Sequence, residues 1–223
     1  GAPARQVNFS VPTGNFGDIF AGHIARRMGL PIQTLLIATN ENDILHRTLQ
    51  TGVSENTGVS PTIAPSMDIQ ISSNFERLIF EMYDNDGAAV AQLMQEQKES
   101  GTFRLSQGAW HRLREGWASG RSEREQTLSM IQSVAKDGGT VLDPHTAIGV
   151  VAAREAGLDP AIPMIVLGTA HAAKFPDAVE EACGQRPDLP AHMADLYERP
   201  ERMTVLPNDL RVLEDHIRQE RRA

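Results

Sequence analysis

Thiol chemistry is almost absent from this 223-residue sequence, which holds a single cysteine, Cys183. One thiol forms no internal disulfide and no thiolate zinc cage, so a reducing compartment, the cytoplasm, is expected. Positive charge is also short, with 21 Lys and Arg against 29 Asp and Glu and a formal charge of −8. Any phosphate must then be caught locally, and broad nucleic-acid binding is not expected, including RNA binding through a short GxxG loop. No stretch approaches the roughly 18 uninterrupted apolar residues of a membrane helix, and the start lacks the charged-then-apolar order of a signal peptide. Neither a membrane span nor an export signal is therefore expected. The sequence opens GAPARQ without a methionine, so residues 1–6 are expected to be a cloning or cleavage remnant of a longer protein. Repeats and low-complexity tracts are missing too. What remains, 40% hydrophobic and 22% charged residues, is ordinary globular composition, enough for one large domain or two small ones.

Val7–Val11 alternates apolar and polar side chains and stops at Pro12, Thr13 and Gly14, which predicts a short strand. From Asn15, the residues Phe16, Ile19, Phe20, Ile24 and Met28 recur at helical spacing until Gly29 and Pro31. Ile32–Ala38 then suits a strand buried on both faces. Strand, glycine loop, helix and strand imply a parallel, right-handed unit and an α/β fold, an open mostly parallel sheet with helices on both faces. A second such unit is expected from Thr140–Leu142, a helix over His145–Ala156, and Pro163–Thr169. Helices are also expected over Ser73–Met82, Ala88–Gln97, Asp209–Arg222 and Ser122–Ala135, the last with Ser122 and Glu125 as a capping box. Segment 101–121 is expected to be an irregular or partly helical insertion.

Gly14, Asn15, Phe16, Gly17 and Asp18 lie between a strand and a helix start, where unpaired amides and the helix dipole favour an anion. No Lys-Ser/Thr pair follows, so this is no Walker loop, and two glycines fall short of the dinucleotide fingerprint. Capping by Asn15, with Asp18 in the first turn, explains the same residues equally well. Asp143, Pro144, His145 and Thr146 mark a second strand-to-helix junction, at the edge where open α/β sheets place ligands; capping suffices for them too. Thr169, His171 and Lys174 follow the last apolar strand and emerge at the same edge. Ser72, Ser73, Asn74 and Arg77 gather hydroxyl, amide and guanidinium groups around a helix start, a set suited to an oxyanion or to a cap. The seven histidines show no ligand spacing, so no metal site is expected. No GxSxG elbow appears, and nothing around Cys183 signals activation.

Four segments in order, SVPTGNFGDIFAGHIARRMGLPI (10–32), PSMDIQISSNFERLIFE (65–81), LDPHTAIGV (142–150) and GTAHAAKFPDAV (168–179), together resemble threonine synthase of the longer bacterial and fungal kind. The resemblance implies the incomplete large domain of a fold type II pyridoxal-phosphate enzyme, with residues 7–223 as a C-terminal catalytic-domain portion. It implies conversion of O-phospho-L-homoserine and water to L-threonine and phosphate. It also implies that Gly14, Asn15, Phe16, Gly17 and Asp18 hold the cofactor phosphate and that Thr169 meets the pyridine nitrogen. Ser73, Asn74, Arg77 and Lys174 become candidates for the substrate phosphate. The family usually has Pro where Ala172 stands, which implies a less rigid loop from His171 to Phe175. The lysine that joins the cofactor covalently belongs to an N-terminal region this chain lacks, and Lys98, Lys136 and Lys174 match no such motif. The chain alone is therefore expected to be inactive, with the missing region as partner and self-association through uncovered sheet surface. A non-catalytic phosphate- or nucleotide-binding module on the same half-fold is the alternative.

Overall fold

Residues 4–221 are described in the computed structural model; residues 1–3 and Arg222, the expected end of the last helix, lie outside them. Strand β1 (Val7–Pro12) leads through a tight loop into α1 (Gly17–Arg27) and back into β2 (Ile32–Thr39). β1 and β2 pair in parallel, Phe9 opposite Leu35 and Val11 opposite Ile37. This is the strand-helix-strand unit the opening residues predict. The chain continues through α2 (Ile44–Thr51), β3 (Val53–Glu55), α3 (Phe75–Met82), α4 (Gly87–Ser100), β4 (Thr102–Arg104), α5 (Gln107–Arg114) and β5 (Trp117–Arg121). It then runs through α6 (Arg124–Gly138), α7 (Pro144–Glu155), β6 (Met164–Val166) and α8 (Pro176–Cys183). The main sheet has the order β5-β2-β1-β6, parallel throughout, while β3 and β4 form a small antiparallel pair.

β2 is buried on both faces because its side chains alternate between two apolar clusters. Leu35 and Ile37 pack with Ile19 of α1, and Leu36 and Ala38 pack with Ile148 and Ala152 of α7. Each fully buried aliphatic side chain contributes about 1.5–3 kcal/mol, so this strand anchors both layers. α7 lies unusually close to the sheet. A Cβ on Gly149 would come within 2.9 Å of Val166, and one on Gly120 within 2.8 Å of Ala152. The Gly149 carbonyl accepts from Ser10 Oγ at 2.7 Å. That close crossing carries the N-terminus of α7 to the carboxyl edge of the sheet, beside the β1–α1 loop.

The structure departs from the sequence reading in four places. Thr140–Leu142 forms no strand: it follows the C-cap Gly139, and Leu142 instead packs with Ile131 and Ala147. β6 stops at Val166, although Leu167 N still donates to Ser10 O. Segment 101–121 is ordered as strand, helix and strand, and Trp117–Arg121 is an edge strand of the main sheet. With only β2 to pair with, an edge strand needs little apolar sequence, which is why WASGR gives no period-two signal. The capping box of α6 uses Glu123 and Gln126 in place of Ser122 and Glu125. Ser122 is turned inward onto Thr127 Oγ1 at 2.9 Å.

The chain divides into a unit ending at Pro187 and a second unit over Asp188–Ala223. Within the second, two 3-10 turns precede α9 (Leu210–Glu220), which Asp209 caps by accepting from Arg211 N and Val212 N. Among the described residues no helix is long and apolar enough to cross a membrane.

Candidate functional site

The loop from Thr13 to Asp18 is fixed by backbone before any side chain acts. Thr13 N donates to Ala38 O at 2.8 Å, extending the β1–β2 ladder by one residue. Gly14 then passes so close to the turn Pro65–Met67 that a Cβ would sit 2.5 Å from Ser66 O. Only glycine fits there. The carbonyls of Gly14 and Asn15 are tied away by Ser72 Oγ at 2.8 Å and by Asn74 Nδ2 at 2.9 Å and N at 3.1 Å.

Phe16 takes the left-handed conformation at φ 67°, which costs a non-glycine residue about 1–2 kcal/mol. Its buried ring offsets this, stacked on Trp117 at 5.5 Å and edge-on to Phe75 at 5.1 Å. α1 begins directly after it with no side-chain cap. Asn15 is therefore not the cap, and the capping explanation of this loop does not hold. Among the described residues, the amides at positions 14–19 donate to no acceptor. A left-handed residue followed by a helical turn is the backbone form of an anion nest. These residues line a hollow of about 210 Å³. Asp18 is exposed and its carboxylate opposes an anion, so the useful group there is its amide.

The second wall comes from α7 and the segment after β6. Asp143 caps α7 by accepting from His145 N at 2.9 Å and Thr146 N at 3.4 Å. The same carboxylate takes His145 Nδ1 at 3.0 Å and the Thr146 hydroxyl. Burial alone would raise the Asp143 pKa, but the bonds from His145 and Thr146 outweigh it and hold the carboxyl below its ordinary value. Thr169 N donates to Thr146 Oγ1 at 3.2 Å. Lys174 Nζ lies 5.4 Å from the Phe175 ring centroid, and that ring packs on His145 at 4.6 Å. Gly14, Asn15, Ser66, His145, Thr169 and Lys174 together line one hollow of about 180 Å³. Two strand ends far apart in sequence thus meet there. The His171–Phe175 loop is held by a 3-10 turn whose N-cap, His171 Nδ1, accepts from Ala173 N at 3.1 Å.

The remaining candidates do not gather at this hollow. Asn74 supports the loop through Asn15 O, as above. Ser73 lines a separate crevice of about 50 Å³ with Gln70 and Glu76. Arg77 stands over the Phe20 ring at 6.0 Å, in a mostly apolar hollow of about 510 Å³ that includes Phe80, Val90 and Met94. Ser66 at the shared hollow is not among the candidate residues, since a turn gives no local signal, and the Asp143–Thr146 junction marks His145 without showing that its ring reaches another loop.

The fold is α/β of the fold type II class, and its open hollow stands at the carboxyl edge of a parallel sheet, where open α/β sheets place their ligands. The family described as Threonine synthase, C-terminal matches residues 146–217. A threonine synthase of Pseudomonas aeruginosa is 52% identical over 98% of this chain, which covers 47% of that protein. A crystal structure of PLP-bound threonine synthase from Brucella melitensis superposes with a TM-score of 0.91 at 56% identity, over 100% of this chain and 48% of that one. The yeast threonine synthase structure gives 0.85 at 36% identity, over 99% and 48%. The chain belongs to the threonine synthase family and matches its C-terminal portion. It spans about half the length of the curated relatives it matches.

Proposed function

We propose that this chain is the portion of a cytoplasmic threonine synthase that seats pyridoxal 5'-phosphate, and that residues 7–223 form part of its catalytic domain. The observation that carries this reading is the row of unpartnered amides at positions 14–19, on a hollow shared with Thr169. A phosphate monoester fits such a row, since backbone donors and the α1 dipole stabilise the dianion without a lysine. Gly14, Asn15, Phe16, Gly17 and Asp18 would hold it through their amides. The Thr169 hydroxyl would meet the ring nitrogen, leaving it less strongly protonated than a carboxylate partner would. When bound, the cofactor supplies an electron sink for proton removal at the substrate carbons. Lys174 brings a cation to the rim for the phosphate of O-phospho-L-homoserine, and Asn74 keeps the loop in register through Asn15 O. Ser73 and Arg77, which face other hollows, would reach that substrate only with the rest of the longer protein in place.

The intact enzyme would turn O-phospho-L-homoserine and water into L-threonine and phosphate. This chain alone would not, because the family's cofactor-attaching lysine has no counterpart among Lys98, Lys136 and Lys174. Apolar side chains such as Phe80 and Ile71, exposed here, would be covered by the missing region or by a second copy.

Titration calorimetry with pyridoxine 5'-phosphate, which carries the phosphate but no aldehyde, tests the reading. Saturable binding, with no threonine formed from O-phospho-L-homoserine, is the expected result. Stabilisation by nucleotides exceeding that by pyridoxine 5'-phosphate would favour a nucleotide module and overturn it.

A further inference from the structure

We propose that Asp143 and His145 form the positioning element of the hollow, one buried carboxylate setting both of its walls; this rests on reading the hollow as a phosphate-monoester site. The two carboxylate oxygens work in opposite directions. Oδ1 accepts from His145 Nδ1 at 3.0 Å, and His145 Nε2 lies 3.2 Å from Ser66 N. A backbone N–H only donates, so Nε2 accepts and the ring proton sits on Nδ1, aimed at Asp143. Ser66 in turn presents the carbonyl that leaves Gly14 no room for a Cβ. The carboxylate thus reaches the phosphate loop through the imidazole and Ser66.

Oδ2 accepts from the Thr146 hydroxyl, whose oxygen accepts from Thr169 N at 3.2 Å. That is the opposite wall. The Ser66 turn is also braced from behind. Asp68 takes Asn40 Nδ2 at 2.7 Å and Thr62 N at 2.8 Å, and Asn40 Nδ2 also donates to Ala64 O at 3.4 Å. With that side fixed, the imidazole sets where the turn stands.

Capping alone does not account for this arrangement. A cap needs only the His145 and Thr146 amides. The ring contact to a turn 79 residues away and the hydroxyl contact to Thr169 exceed that requirement. His145 and Asp143 also have side chains only 5% and 0% exposed, so water cannot replace them as donor or acceptor. His145 would then govern the ligand's fit through the backbone of Ser66.

Asparagine mimics the Nδ1 side of the imidazole and glutamine the Nε2 side, which makes the pair H145N and H145Q informative. The probes are pyridoxine 5'-phosphate and inorganic phosphate, titrated into the whole chain by calorimetry, with thermal melts of every variant. H145Q keeps an acceptor for Ser66 and is expected within about threefold of the unsubstituted chain, whereas H145N loses about tenfold for both probes, the effect of one hydrogen bond. T146V, which removes the hydroxyl that links Asp143 to the Thr169 wall and leaves the His145 contacts in place, is expected to weaken pyridoxine 5'-phosphate more than inorganic phosphate, and it serves if H145N does not fold. Equal losses in H145N and H145Q, tracking their melts, would reduce His145 to packing and overturn the proposal. So would a T146V loss equal for both probes. If the unsubstituted chain binds neither probe, the phosphate reading fails first; if it binds and H145N binds as well, only the positioning role falls.

Discussion

At the scale of single residues, the site depends on what Gly14 lacks, on what one aromatic tolerates and on one buried carboxylate. Gly14 lies under Ser66 O, so Gly14→Ala puts a carbon where only 2.5 Å is free. Overpacking of this kind costs about 1–3 kcal/mol, and the loop is expected to shift as well. Denaturant melts and pyridoxine 5'-phosphate titration check the two effects separately. Phe16→Leu removes the stack on Trp117 but keeps the left-handed backbone cost. Phe16→Gly loses the whole ring but relieves that cost, so it is expected to destabilise beyond Phe16→Leu by about 1–2 kcal/mol less than the lost packing alone would give; chemical denaturation of both variants measures the gap. Asp143 gives the pH dependence. Its folded pKa is depressed, through hydrogen bonds that overcome burial. The stability it contributes is present above the ordinary aspartate pKa and is lost as pH falls through the lower folded value. Acid unfolding of D143N is therefore expected to start from a lower stability and to show a flatter acid limb than the unsubstituted chain. An identical acid limb in the two proteins would contradict the assignment.

At the scale of elements, the close crossing of α7 carries the site. Gly149→Val would drive a branched side chain into Val166 and Pro12, and a loss of about 2–4 kcal/mol with weakened ligand binding is expected. Urea titration measures the first and calorimetry the second. Elements with strong periodic signals were legible in the sequence: β1, α1 and β2 fall within two residues of their expected ends, and α3, α4 and α7 appear where apolar spacing placed them. The missed elements are those whose reason is tertiary. β5 exists because β2 offers it an edge, and α2 because Ile44, Leu45 and Leu49 join the core built on β2, β5 and α5. The expected strand at Thr140–Leu142 had the right residues but no neighbour to pair with. The loop's backbone geometry was half legible, since glycines and a strand end mark it, but the left-handed Phe16 was not. The link from His145 to Ser66 was not legible at all, because nothing local ties positions 79 apart.

For the whole molecule, the parallel sheet ends at β5 and β6 with no further strand on either side among the described residues. Exposed Ile71, Phe80 and Ile165 add apolar surface that longer relatives have chain left to cover. Self-association that grows with concentration is expected in multi-angle light scattering. A constant monomer mass across a wide concentration range would count against it. The acidic balance matters here too. With a formal charge of −8, added salt should weaken long-range repulsion of a dianionic ligand and improve its capture slightly, the opposite of a protein that uses a basic face.

Ser66 beneath Gly14 has one more result. The cradle that begins at Thr13 is completed by Ser72 and Asn74, by the ring at 145, and by the stretch ending at Phe175. A synthetic peptide spanning the first strand and helix would carry every glycine of the motif and still show no affinity. During translation, likewise, the hollow could not be complete until the ribosome had delivered three quarters of this sequence.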